Sequence, residues 1–521
     1  MKKIIIVGGG ATGTFFSSAV KKNFPHFDVI MIHDPNTPYI GVGESIAFNG
    51  TRFIKKYLGI NDDIGLMRDT NSSLKLGVIW QGFDNTDKQV ISPSPAPYPS
   101  ASSVISHLKF GSDLETENYL GQFNLYDVWL YLKRKNKISK DSRECINKNF
   151  WFCENSKIPF VFNPNDTLDH IAYSYHINSG TIKDYVFDVV GKPLGVKEIQ
   201  KKVKEVHVKP DGSENIEYLT LDDGEKIFGD LFIDATGFSR QLVKELSFKF
   251  NPSDESINNS TLVGLHSFTA PEENSCFSGS LSMKYGWCFS VPMNTRSGNG
   301  YQFNSSFVNN EQMLIDEFYE KQPSKKDISF KRLSWQPGYL DKAFVGNCLP
   351  LGISIGFSDA FDANNFSSTM ILMGLIIDHL KEDENFEFAW RKHYNDYFNS
   401  LVSDITLRHH TFFHLSPRND TEYWQEMKVF AKKFNTLERL YDACFDEKRK
   451  RPRDNNNPVL YFQPSFIHLC NYYDLPVYND DRLNLSLSSE DEKLFLQFFE
   501  KNSSENFEIS KNALDFRKLG K

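Results

Sequence analysis

Gly8, Gly10 and Gly13 form a GxGxxG pattern directly behind the apolar run Ile4-Ile5-Ile6-Val7, and few local patterns restrict a fold so tightly. The first glycine permits a tight turn, the second lets backbone approach a pyrophosphate, and the third lets a helix pack on the strand. The periodicity predicts a strand at 3–7, a helix at 13–22 and a second strand at 28–32, a βαβ unit of about thirty residues. In that setting the helix amides face an anion. Gly8, Gly10, Ala11, Thr12 and Gly13 are therefore candidate contacts to the phosphates of a dinucleotide.

A ribose-binding acid is expected about twenty residues further on. His33 stands at that register, so Asp34 is the candidate. Far along the chain, Asp234-Ala235-Thr236-Gly237 ends an apolar strand in the way flavoprotein chains return to their cofactor, which selects FAD over NAD. Asp234, Gly237 and Gly346 are taken as further cofactor contacts. With a single GxGxxG, the chain is expected to lack a tight NAD(P)H site and to receive reduced FAD from a separate NAD(P)H-dependent flavin reductase.

The rest of the sequence sets outer bounds. A chain of 521 residues can bury a large core, and its net charge of −8 offers no argument for nucleic acid. The basic run 448–453 is flanked by acids and reads as a solvated loop. Seven scattered cysteines with no CxxC pair suggest reduced thiols and no metal site. No apolar stretch reaches a membrane-spanning length, and Met1-Lys2-Lys3 leads straight into a strand, which together predict a cytoplasmic protein. A homo-oligomer is left open. The 45 Phe and 22 Tyr serve packing first, and would also suit an aromatic ligand.

These patterns predict an α/β fold: an FAD-binding Rossmann-like domain of the glutathione-reductase/hydroxybenzoate-hydroxylase type, a β-rich middle and a mostly helical substrate region. The expected divisions are 1–90 for the βαβ core, 91–110 for a Pro/Ser-rich lid loop and 111–375 for interleaved cofactor and sheet segments. A helical aromatic region follows at 376–480, and a peripheral helix at 481–521 opens with the capping box Ser489-Glu490-Asp491-Glu492.

Seven further segments, in order, resemble the flavin-dependent halogenases, especially the tryptophan-halogenase branch, from residue 3 to about 475. Ile40-Gly41-Val42-Gly43-Glu44-Ser45 is similar to the GVGE segment, Ser73-Leu74-Lys75-Leu76-Gly77 to the SFKLG segment and Tyr175-His176-Ile177-Asn178 to YHFD. Gly229 to Phe238 resembles the second flavin strand. Gly286-Trp287-Cys288-Phe289-Ser290-Val291-Pro292 resembles GWxWxIP, and the stretches at 296–301 and 418–424 resemble RTGxGY and RxDTxYW. The chain departs from the pattern where it carries Phe289, Asp362, Asn364-Asn365 and Phe466 for Trp, Glu, Thr-Gly and Trp.

The resemblance implies that reduced FAD, O2 and a halide ion generate hypohalous acid, which reaches a small electron-rich aromatic substrate at a separate site. Lys75 would polarise the halogen, and Asp362 would stabilise or deprotonate the ring. Asn364 and Asn365 would hold the halide, with bromide or iodide accommodated and chloride left open. Gly43 and Glu44 would support the flavin, Trp287, Phe289 and Pro292 would wall the route, and His107, Phe110 and Phe466 would line the substrate pocket. Read without the resemblance, Lys75 is a solvated lysine, Trp287 and Phe289 are core, Asp362 is a loop acid and His107 is structural. An aromatic monooxygenase and a catalytically degenerate FAD-binding protein stay open as alternatives.

Overall fold

In the computed structural model, the described residues are 1–37, 41, 44–94, 101–108, 118–158, 173–253, 257–269, 275–450, 460–512 and 514–515. The first apolar run folds as β1 (Lys3–Val7), the glycine turn opens α1 (Ala11–Asn23), and the chain returns as β2 (Asp28–Ile32). The strands keep the anticipated bounds, and the helix starts two residues earlier than its periodicity indicated. Lys197–Ile199 (β3), Leu231–Asp234 (β4) and Cys348–Pro350 (β5) complete a parallel sheet in the spatial order β5-β4-β1-β2-β3.

A parallel sheet is covered on both faces, which is why β1 and β2 are unbroken apolar runs. Ile4 and Ile6 pack towards Phe15, Phe16 and Ala19 of α1, while Ile5 and Val7 pack towards Leu219 and Leu221 of the strand Ile216–Leu221. The loops that follow β1, β2, β4 and β5 gather at the carboxyl edge of this sheet, where ligands of open α/β sheets bind.

The β-rich middle contributes a seven-stranded sheet, with Gly286–Pro292 between Arg296–Phe303 and Phe277–Met283, and Gly77–Gln81 beside the latter. Beyond residue 363 the chain is largely helical, including α2 (Asn364–Glu382), α3 (Arg391–His414) and α4 (Gln463–Tyr472). Much of the aromatic excess is core there: Trp80, Trp129, Trp287, Trp424, Phe412 and Phe413 belong to one buried cluster.

Four expectations need correction. The stretch 91–106 is not a loop at either end, because Gln89–Pro93 is a strand and Ala101–Leu108 a helix; residues 95–100 lie outside the described set. The basic run is not a solvated loop as far as it is described: Arg449 is buried against Asp404, and Lys450 lies 3.4 Å from the buried Asp127. The final helix, Ser489–Asn512, is not peripheral, since Phe495 and Phe499 are buried in the aromatic cluster. Its cap is Ser488, whose Oγ accepts from Asp491 N at 3.1 Å, while Glu492 turns to Lys135 and Lys137.

Candidate functional site

At the carboxyl edge of the parallel sheet the glycines act through missing side chains. A Cβ on Gly8, whose φ is +123°, would lie 2.2 Å from Ala235 O, and one on Gly13 would lie 1.9 Å from Gly8 O. A Cβ on Gly10 would meet nothing within 4 Å, so the middle of the turn is open to a ligand. No side chain caps α1 at Gly10 and no acid stands in its first turn, which leaves its positive end free for a pyrophosphate. These residues fit a dinucleotide.

Their neighbours have different roles from those anticipated. Asp234 is fully buried and tied up: Thr236 N, Thr236 Oγ1 and Ser354 Oγ donate to Oδ1, and Leu242 N and Val243 N donate to Oδ2. It fastens the loops after β4 and β5 and has no oxygen to spare for a cofactor. Gly237, at φ +64°, would meet nothing within 4 Å with a Cβ and stays open. Gly346 lies before β5, at the opposite edge of the sheet, and its positive φ makes a turn against Glu214 O. The glycine that faces the phosphate turn is Gly352, whose Cβ would lie 2.6 Å from Thr12 Oγ1. Asp34 closes a local turn, accepting from Asn36 N at 2.9 Å. Burial raises the Glu44 carboxyl, with Ser179 opposing, and Gly43 lies outside the described residues.

Lys75 ends the short strand Ser73–Lys75, which pairs with Ser174–Ile177, which in turn pairs with Glu44–Ser45. The lysine is 5% exposed, and burial pushes its ammonium down to about 8, with Asp362 opposing. Its Nζ donates to Ser45 Oγ at 2.6 Å, and buried contacts continue from Ser45 to Ser278 at 3.2 Å, His176 Nε2 at 3.0 Å, Ser73 from His176 Nδ1 at 3.2 Å, and Pro292 O at 2.6 Å. A carbonyl only accepts, so Ser73 Oγ gives its one proton to Pro292 O and accepts from His176 Nδ1. His176 is then neutral with its proton on Nδ1; burial and the Lys75 charge both hold it well below the usual histidine range.

Asp362 and Ala363 both adopt left-handed backbone, at φ 55° and 56°, before α2 begins. Two consecutive non-glycine residues there cost about 1–3 kcal/mol each. The kink delivers the Asp362 carboxylate to Arg408 of α3, whose Nε donates to Oδ2 at 2.9 Å, and it leaves the start of α2 without a side-chain cap. The Asn364 side chain is not free for a ligand, because it donates to His409 Nε2 at 2.7 Å and accepts from Tyr461 OH. Asn365 O accepts from Thr369 Oγ1 within the helix. Any anion here would meet backbone amides rather than the Asn364 side chain.

Lys75, Asp362, Asn364 and Arg408 line one cavity of about 540 Å³, with Ala47, Phe48, Tyr461 and His468 on its wall. Trp287, Phe289, Pro292 and Phe466 are not among its lining residues. Trp287 packs behind the kink on Phe361, with ring centroids 5.5 Å apart, and Phe289 covers Gly300. Along α4, Pro464, Ser465 and His468 face the cavity, which turns Phe466 into the core under Arg449. The His107 side chain and Phe110 lie outside the described residues. Sequence reasoning missed Ser45, His176, Gly352, Arg408, Tyr461 and His468. Ser45 and His176 lay inside quoted segments, and Gly352 followed an apolar strand, but nothing local marks the other three.

The tryptophan halogenase family pattern matches residues 3–473. The chain is 23% identical to tryptophan 7-halogenase RebH of Lentzea aerocolonigenes over 437 residues, covering 82% of this chain and 78% of that protein. It is 22% identical to tryptophan 6-halogenase ThaL of Streptomyces albogriseolus over 435 residues, covering 82% and 79%. Among solved structures, a tryptophan halogenase from Shewanella frigidimarina superposes with a TM-score of 0.82 at 19% identity, covering 100% of this chain and 97% of that one. BrvH, a flavin-dependent halogenase from Brevundimonas sp., superposes with a TM-score of 0.78 at 18% identity, covering 99% and 98%. With that match running over residues 3–473, nearly the whole chain, the chain belongs to the tryptophan halogenase family of flavin-dependent halogenases.

Proposed function

We propose that this protein uses reduced FAD, O2 and a halide ion to halogenate a small electron-rich aromatic compound at Lys75. One observation carries the reading: a buried ammonium opens into the same 540 Å³ cavity as a carboxylate and the uncapped start of a long helix. Such a volume lies within the about 300–1,000 Å³ usual for small-molecule sites.

When bound and reduced, FAD supplies the O2-derived oxidant that turns the halide into hypohalous acid. The glycine turn Gly8 to Gly13 would hold its pyrophosphate, and the backbone amides that open α2 would hold the halide, their dipole favouring an anion. The amides of Asn364 and Asn365 set no fixed radius, so bromide and iodide fit the reading as well as chloride. Lys75 donates a hydrogen bond to the hypohalous oxygen and draws electron density from the halogen, while the chain from Ser45 to Pro292 keeps its ammonium aimed. Asp362, held by Arg408, faces the positive charge that grows on the attacked ring and accepts the departing ring proton. His409 and His468 stay neutral, pushed down by burial to about 4 and about 3, and add no competing positive charge. Reduced FAD would come from a separate NAD(P)H-dependent flavin reductase, because the chain carries one dinucleotide turn.

The test is a panel of indoles, phenols and pyrroles incubated with the protein, a flavin reductase, NADH, FAD and chloride, bromide or iodide, with products read by mass spectrometry. Halogenated product that disappears in Lys75→Ala is the expected result. Hydroxylated product formed without halide would replace this reading with an aromatic monooxygenase.

A further inference from the structure

The carboxylate that should bind a dinucleotide ribose is missing from the end of β2, where His33 stands, but the neighbouring edge strand carries one. β2 and β3 run parallel with Met31 opposite Glu198 and Ile32 opposite Ile199. The His33 N–H donates to Ile199 O at 3.0 Å, which sets the two strand ends level. Across that seam Glu198 Oε1 lies 2.8 Å from His33 Nε2. The His33 ring in turn rests on the phosphate turn, since a Cβ on Gly9 would lie 2.5 Å from its Cγ. Glu198 thus stands beside the GxGxxG turn, on the edge of the sheet where the ligand binds.

The pair is open to that edge, with side-chain exposures of 22% for His33 and 31% for Glu198. Among the described residues, Oε2 of Glu198 makes no hydrogen bond. Asp34, the nearest acid in sequence, spends Oδ1 on Asn36 N. We propose that Glu198, oriented by His33, binds the 2′- and 3′-hydroxyls of the adenosine ribose of FAD in place of an acid on β2. A carboxylate accepts from both hydroxyls of a cis diol at once. Strands about 4.8 Å apart let a glutamate on β3 reach the point where an acid at the tip of β2 would stand. The assignment rests on the reading that the chain binds FAD.

The experiment is a titration of the purified protein with FAD, ADP-ribose and FMN, followed by flavin fluorescence or calorimetry, with thermal melts as a folding control. Glu198→Ala should weaken FAD and ADP-ribose about 100-fold or more, the loss of two hydrogen bonds to a charged acceptor. It should leave FMN, which lacks the adenosine, unchanged. His33→Glu introduced into Glu198→Ala should restore FAD binding to within about threefold, by returning the acid to β2. A Glu198→Ala protein that binds FAD like the wild type, or loses FAD and FMN alike, overturns the assignment. Wild-type protein that binds neither FAD nor ADP-ribose overturns the flavin reading along with it.

Discussion

At the proposed cofactor end, the turn and its two strands come from one contiguous stretch, residues 3–32, and the groups offered to a ligand are backbone amides exposed by absent side chains. At the proposed reactive end, Lys75, Asp362, Arg408 and Tyr461 come from four separate segments and line one cavity, with the Lys75 and Arg408 charges buried. The first end gains its function from close packing and loses little stability for it. The second holds an ammonium and an ion pair out of water, which costs stability unless every partner is in place. Stability and function should therefore respond together to changes at one end and in opposite directions at the other.

The largest expected effect sits at the reactive end. Lys75→Met should lower halogenation by about 10²–10³-fold, the range for losing a charge-stabilising donor. The same variant should be more stable than the wild type by about 1–3 kcal/mol in urea at pH 7, because a buried ammonium is replaced by an apolar chain. A less stable Lys75→Met would break the contrast.

Gly13→Ala is the counterpart at the cofactor end. Its methyl must enter the space of Gly8 O, so unfolding free energy should fall by about 3 kcal/mol, and FAD affinity should fall with it. Retained flavin affinity in a destabilised protein would separate the two properties there as well.

Acid should separate the two ends within one molecule. His409, His410, His414 and His468 are pushed by burial to about 4, 2, 3 and 3, so each is neutral in the fold and charged in the unfolded chain below 6.5. The unfolded state then binds more protons, and stability is lost as pH falls from 6.5; His409 alone accounts for about 3 kcal/mol by pH 4. All four lie on α3 and α4, so hydrogen exchange at pH 4 to 5 should show those helices opening before β1 and β2. His409→Gln should flatten the pH dependence in proportion.

The smallest expected effect tests the aim of Lys75. Ser278→Ala interrupts the chain between Ser45 and His176 and should lower kcat about fivefold with KM unchanged, as expected for a displaced rather than missing donor.

What could be read in advance follows the same division. β1, α1 and β2 were legible because their signal is local: a strand, a turn whose glycines clash with nothing, and a helix, all within thirty residues. Lys75 and Asp362 were legible only through resemblance, since a lone lysine and a loop acid carry no periodic signal. Gly346 turns before β5, at the end of the sheet away from the glycine turn, and only the sheet decides which end of a strand lies beside that turn. Phe466 was misassigned because its face of α4 depends on where Arg449 packs.

The sequence by itself determined that a strand, a glycine turn and a helix follow one another from Lys3, and that the C-terminal part is largely helical and aromatic. Those properties rest on spacing, which a linear chain carries. The tertiary structure decided which charges meet. Arg408 reaches Asp362 across 46 residues, and Glu198 arrives from β3 beside the His33 that follows β2. Charge pairing depends on distance in space, falling off over a few ångströms, and no spacing along the chain encodes that distance.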